Sequence, residues 1–334
     1  MSLFMLDGTA PGGNAGAGRG GHAEADATGS TEARAQGPSL EVVLPVRNMA
    51  EDLRAALGLI MSQLGPNDVA TVVDDGSSDG TADVARSLGA NVIRLDASVG
   101  PYAARHLAVS RSSADAIVFV DGRSRSRPGL LDSHRRLLAD TEVALSCSPI
   151  VIESAPSLAA RVAEVQDLFS LKAFIGIPGR LDYYPTANLG VRRTAYLSVG
   201  GFRKIRSGGD ADLCWRIQLA GLGRLAVDDH VYMSWVPRRR IRGLIEQWYR
   251  YGQSAALLDE LYPSAKAAPA PRDGRLTSVR KLVLALLTRP RSAPVSLVSG
   301  FTHSVFQLSY ALASRSRRAQ GPSSAADSMP MASG

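Results

Sequence analysis

Two kinds of residue in this sequence are placed for chemistry: carboxylates at the ends of apolar runs, and arginines close behind them. The stretch "IVFVDGRSRSRPGLL", beginning at Ile117, delivers Asp121 and then Arg123, Arg125 and Arg127 at alternate positions. "VVDDGSSDGT" ends its apolar run in Asp74 and Asp75, and "VVLPVRN" ends in Arg47 and Asn48. "SGGDADLCWR" sets Asp210 and Asp212 at the start of an expected helix, with Arg216 four residues beyond Asp212. A carboxylate accepts a proton or holds a cation, and a guanidinium grips phosphate oxygens. Each group also has a structural reading. Asp75 is then a turn residue, with Ser78 or Asp79 capping the next helix. Asp212 and Arg216 are a helix-surface pair worth roughly a few tenths of a kcal/mol, and the three arginines are a solvated edge.

The elements that must position these residues alternate. "LEVVLPV" is a short strand stopped near Pro45, and "EDLRAALGLIMSQL" spaces Leu53, Leu57, Ile60 and Leu64 as one helix face. "VATVVDDG" is a second strand, "GTADVARSLG" a helix with a stop at Gly89, "NVIRL" a third strand, "GPYAARHLAVSRS" a helix and "DAIVFVDG" a fourth strand. Strands that are apolar throughout, alternating with helices, predict a mostly parallel sheet covered on both faces. Ligands of such sheets bind beyond the carboxyl ends of the strands, which is where the acids and arginines converge. A dinucleotide fold or a nucleoside-dependent methyltransferase needs glycines directly after the first strand, and "PVRNMAEDL" has none.

The 334 residues are 45% hydrophobic and carry a formal net charge of +7. From Trp235 onward 15 Lys+Arg stand against 5 Asp+Glu, so the excess is C-terminal and suits an anionic surface or acidic substrate. No motif for base readout occurs, so nucleic acid is not the expected partner. Cys147 and Cys214 sit in apolar stretches and read as buried free thiols of a reducing compartment. No charged start followed by an apolar core opens the chain, so the expectation is a cytoplasmic protein, with attachment to the inner membrane face as the alternative.

Taken together, these segments resemble the inverting family 2 glycosyltransferases of the GT-A fold, an α/β nucleotide-diphospho-sugar transferase architecture. The resemblance runs from about Leu40 to Leu261 and rests on "VVLPVRN", "VVDDGSSDGT", "GPYAARHLAVSRSSADAIVFVDG", "YYPTANLGVRRTAYLSVGGF", "GGDADLCWRIQLAG" and "EQWYRYGQS". It implies a nucleoside diphosphate sugar as donor and a hydroxyl acceptor, whether glycan, lipid-linked or small natural product. It places Pro45, Arg47, Asp75, Gly100, Arg105, Asp121, Arg123 and Asn188 at the nucleotide sugar, and Trp235, Trp248, Arg250 and Tyr251 on the acceptor side. Asp210 matches the family's general base, which takes the proton of the attacking hydroxyl. The Glu that usually precedes it is Gly209 here, which the sequence suggests leaves room for the acceptor.

Two departures concern the metal. The family holds Mg²⁺ or Mn²⁺ with the strand-four acid, a second acid two residues later, and a His before the closing helix. This chain has Asp121, then Arg123, then Trp235, with His230 five residues too early. Asp121 is left as the candidate ligand, and an arginine where the second acid stood would repel a cation. Arg123 is therefore expected to grip the diphosphate in the metal's place, with Arg125 or Arg127 nearby. The alternative is a catalytically impaired homologue that binds nucleotide or glycan as a partner subunit.

The sequence divides into a low-complexity tail (1–37), a GT-A domain (38–262), a linker (263–276), an amphipathic helical appendage (277–313) and a second tail (314–334). In the appendage, "SVRKLVLALL" gathers Val279, Leu282, Val283, Leu286 and Leu287. "APVSLVSGFTHSVFQLSYALA" gathers Val298, Val305, Leu308 and Leu312 opposite Ser296, Ser299, His303 and Gln307. Neither reads as a transmembrane span. Both suit an anionic membrane surface or packing against protein.

Overall fold

The computed structural model describes residues 37–263 and 293–320. The expected alternation is present in order: β1 (Leu40–Val46), α1 (Ala50–Met61), β2 (Val69–Asp74), α2 (Thr81–Ser87), β3 (Asn91–Arg94), α3 (Pro101–Arg111) and β4 (Ala116–Val120). These four strands are parallel, with β1 between β2 and β4 and β3 outside β2. Val42, Val43, Leu44, Ile117, Val118 and Phe119 are fully buried, as strands covered on both faces require. On α1 the residues Leu53, Leu57 and Ile60 seal one face of the sheet. Each such side chain contributes roughly 1.5–3 kcal/mol on burial.

The chain continues through β5 (Ser124–Ser126), α4 (Leu130–Leu138), β6 (Val143–Cys147), β7 (Ile150–Ile152) and α5 (Leu158–Gln166). Then come β8 (Asn188–Arg192), α6 (Arg193–Ser198), α7 (Gly209–Leu219), β9 (Arg224–Val227), β10 (Met233–Trp235), α8 (Ile241–Leu261) and α9 (Ala293–Gln320). The main sheet has the order β3-β2-β1-β4-β8-β6-β9, and β5, β10 and β7 form a smaller one. Strand β8 runs antiparallel to β4 and β6, so residues entering it arrive at the carboxyl edge of β4. From β1 the chain steps outward to β2 and β3, then crosses to β4 on the other flank. That reversal opens a crevice at the carboxyl ends of β1 and β4.

The last helix corrects the sequence reading in one respect: segment 314–320, assigned to a tail, is helical within α9. The sequence left open whether its apolar face meets a membrane or protein, and the face buried against the protein is a different one. Val295, Thr302, Phe306 and Ser309 are buried, whereas Leu308 is 61% exposed and Leu312 is also exposed. The cause lies in α8, where any side chain at Gly252 would run into Ser309 Oγ and the Phe306 carbonyl. Helix axes that close accept small residues at the crossing, so Ser309 and Thr302 face inward. Gln166 of α5 donates to Thr302 Oγ1 at 2.9 Å, and Tyr310 donates to Asp259 at 2.6 Å, fixing the helix over the cavity described below. The segment 277–287, the 264–276 part of the linker and the tail before residue 37 lie outside the described residues. No described helix is long and apolar enough to cross a membrane.

Candidate functional site

A cavity of about 740 Å³ opens at the crevice and is lined from both sides. Pro45 and Arg47 reach it from the end of β1, Asp75 from the end of β2, Gly100 from the start of α3, and Asp121 and Arg123 from the end of β4. The Asp75 carboxylate is held by three donors, Ser98 Oγ at 2.7 Å, Val99 N at 2.7 Å and Gly100 N at 3.1 Å. That loop can approach because Gly76 has φ +71° and lacks a Cβ, which would sit 3.0 Å from Ser98 N. Asp74 is buried and accepts from Ser77 N, a purely structural role.

Arg105 and Asp121 both line the cavity, but they are paired with each other. The Arg105 guanidinium is buried and donates from Nη2 to Asp121 Oδ1 at 2.6 Å. It also lies over the Phe119 and Tyr102 rings. Of the three alternating arginines, Arg123 lines the cavity, while Arg125 turns to Asp52 at 3.5 Å and Arg127 is exposed away from it. Trp235 occupies the position expected of a histidine, and its buried Nε1 has no partner. β10 pairs Trp235 with Ser124, and Val236 N donates to the Arg123 carbonyl. Among the described residues no group of three His, Cys, Asp or Glu could hold a metal ion. A carboxylate already paired with a guanidinium, flanked by an arginine and an indole, does not fit a resident divalent cation.

Asp210 lies in the first turn of α7 and lines the same cavity. Its Oδ1 accepts from Tyr102 Oη at 2.6 Å and from Thr186 Oγ1 at 3.3 Å. Burial pushes its carboxyl above the usual range. The Tyr102 hydrogen bond and the Arg105 charge oppose this, and the Asp121 charge adds to it. A carboxyl raised in this way is a stronger proton acceptor than an exposed aspartate. Gly209 does not leave a vacancy for the acceptor as the sequence suggested. The Tyr102 ring occupies that space, and a Cβ at Gly209 would lie 2.9 Å from its Cζ. Asp212 is fully buried and binds Arg216 from 2.7 Å, Arg203 at 3.0 Å and Tyr262 Oη at 2.6 Å. The expected surface pair is thus a buried clasp joining α7 to the end of α8.

Two expected site residues are not at the cavity. The Asn188 side chain is fully buried, accepting from His134 Nε2 at 2.9 Å and donating to Ser148 O at 2.9 Å. Trp248 packs against Phe306, and its Nε1 donates to Gln166 Oε1 at 3.0 Å, so it anchors the α8–α9 layer instead. Arg250 and Tyr251 do line the cavity. Several lining residues escaped the sequence reading. Tyr102, two positions after Gly100, is one, and Thr186, just ahead of β8, is another. Arg238 and Arg206 add two more guanidinium groups. Burial lowers the pKa of Arg238, with Arg123 adding repulsion, and Arg250 is lowered by burial and by Arg238. Packing like charges together in a cavity is costly unless an anion joins them. The C-terminal excess of arginine was visible in the sequence, but not that Arg238 turns into this cavity.

Residues 41–197 match the family model described as glycosyl transferase family 2. A pre-mycofactocin glycosyltransferase of Mycobacterium tuberculosis is 31% identical over 280 residues, covering 77% of this chain and 58% of that protein. The chain therefore spans little more than half the length of that relative. Glycosyltransferase AglE of Haloferax volcanii is 27% identical, over 65% of this chain and 72% of that protein. Among solved structures, a mannosyltransferase from Pyrobaculum calidifontis in complex with GDP-Man and Mn²⁺ aligns with a TM-score of 0.54 at 18% identity. That alignment covers 88% of this chain and 79% of the other, a likeness of fold.

Proposed function

Residues 41–197 belong to glycosyl transferase family 2, and from this premise we propose that the chain moves a sugar from a nucleoside diphosphate sugar to a hydroxyl acceptor with inversion. The acceptor oxygen forms a bond to the anomeric carbon as the carbon–oxygen bond to the diphosphate breaks. Asp210 takes the hydroxyl proton, and the bonding electrons depart with the diphosphate. Arg123 and Arg238 meet that developing charge, in place of a divalent cation. Asp75 and Arg47 border the nucleoside. The observation that carries the reading is Asp210, a carboxyl raised by burial, opening into the cavity that also holds Asp75 and Arg123. A thermal-shift panel of UDP-, GDP- and dTDP-sugars, with and without Mn²⁺, tests it. One base series should stabilise the chain, equally without Mn²⁺, and failure of every nucleotide sugar to stabilise would contradict it.

Association with an anionic membrane surface belongs to the same proposal. Leu297, Phe301, Leu308 and Leu312 are exposed on α9 at spacings that put them on one face. Arg315 continues that line, and Arg318 follows in the same last turns.

A further inference from the structure

Three arginines are buried among the described residues: Arg105, Arg135 and Arg180. Arg105 pairs with Asp121 and Arg135 with Asp68, each at 2.6 Å. Arg180 pairs with no carboxylate. It is 8% exposed, lies in the loop between α5 and β8, and lines the cavity. Its Nη2 donates to the Ala173 carbonyl at 2.7 Å, whereas Nε and Nη1 are buried without a hydrogen-bond partner. The Tyr183 ring lies 5.2 Å from the guanidinium carbon. Asp182, the nearby acid, already accepts from Gly176 N at 2.7 Å.

A buried guanidinium with two nitrogens lacking acceptors is expensive, and burial lowers the Arg180 pKa although the charge of Asp182 opposes it. Its location says what would relieve the cost. The Arg180 guanidinium lies over Tyr183, and Tyr183 packs on Trp215 of α7, the helix that carries Asp210, so Arg180 stands on the Asp210 side of the cavity. The diphosphate-facing Arg123 lies at the end of β4. Around Arg180 the walls are aromatic: Phe174 packs on Tyr183 at 5.1 Å and Tyr183 on Trp215 at 5.6 Å. One cation in an apolar wall matches a monoanion, whereas a phosphate carries about 1.5–2 charges and would ask for a second cation.

We propose that Arg180 is the receptor for a substrate carboxylate on the sugar-and-acceptor side of the cavity. The proposal rests on the glycosyltransferase reading of that cavity. The carboxylate has two sources, a uronate as the transferred sugar or an acid group on the acceptor.

The test uses the full chain and matched pairs of probes. For the donor, affinities of UDP-glucuronate against UDP-glucose and of GDP-mannuronate against GDP-mannose are compared. For the acceptor, 4-hydroxybenzoate is compared with 4-hydroxybenzyl alcohol on protein saturated with the preferred nucleoside diphosphate. In one arm the carboxylate should bind about tenfold tighter or more, the scale of a charge-assisted contact. That arm identifies the source. Arg180→Gln should abolish the preference while leaving affinity for the nucleoside diphosphate unchanged. In the free protein, Arg180→Met should not lower Tm, whereas Arg135→Met, which strands Asp68, should. Nucleotide binding with no carboxylate preference in either arm overturns the proposal and leaves the glycosyltransferase reading standing. Absence of any nucleotide binding overturns both.

Discussion

The guanidinium of Arg105 and the carboxylate of Asp121 meet at 2.6 Å, joining α3 to the end of β4 at the rim of the sheet. The pairing offsets the Asp121 charge, and in the proposed mechanism the diphosphate is met by Arg123 with Arg238 beside it. Turnover should therefore persist in EDTA. Arg123→Gln should lower kcat by about 10²–10³, the usual loss for one preorganised donor. Steady-state rates with and without chelator check both. Activity abolished by EDTA and restored by Mn²⁺ would remove the arginine mechanism.

Tyr102 and Gly209 form a second linked pair. The Tyr102 hydrogen bond lowers the Asp210 pKa against the effect of burial, so Tyr102→Phe should raise that pKa further. The base then stays protonated to higher pH, and the acid limb of kcat/KM moves upward. Gly209→Ala should move it the same way, because its Cβ displaces the tyrosine ring. Profiles superimposable on the unmodified chain would show that Tyr102 does not tune the base.

His134 predicts a pH dependence of stability. Burial pushes its imidazole down to about 4, with the Asn188 hydrogen bond and Asp228 pulling the other way. Its Nδ1 faces Ser146 Oγ at 2.8 Å, and Gly190 leaves the space this contact needs. Between about pH 4 and 6.5 the unfolded chain binds the proton and the folded one does not. The stabilisation is complete above 6.5 and is lost as pH falls to about 4, by roughly 3 kcal/mol. Urea denaturation across that range should show the fall in the unmodified chain and a smaller one in His134→Gln. Parallel curves for the two would contradict the assignment.

The exposed stripe on α9 is tested by pelleting with vesicles containing anionic lipid. The full chain should bind, and Leu308→Glu with Leu312→Glu should reduce binding severalfold without altering nucleotide affinity. Equal pelleting of both would remove the membrane reading.

The parts legible in the sequence are those fixed by local pattern. Strands β1, β2 and β4 are largely apolar because both faces are covered, and their ends therefore announced Arg47, Asp75 and Asp121. Asp210 stood out by its place at the start of α7. What the sequence hid depends on contacts between distant segments. Arg105 looked free until β4 supplied Asp121, and Asn188 looked available until α4 supplied His134. Which face of α9 packs inward was left open because Gly252, in another helix, decides which residues fit the crossing. Tyr102 and Arg180 carried no pattern of their own. Only the cavity shows that the one reaches Asp210 and the other keeps two nitrogens without acceptors.

The most direct test is Asp210→Asn, assayed for release of nucleoside diphosphate from whichever sugar nucleotide stabilises the unmodified chain, with affinity measured in parallel. Asparagine keeps an oxygen to accept from Tyr102 and Thr186, so the cavity should survive and nucleotide affinity should stay within about twofold. Turnover should fall by about 10²–10⁴, the range for a lost general base. Unchanged turnover with unchanged affinity would contradict the account.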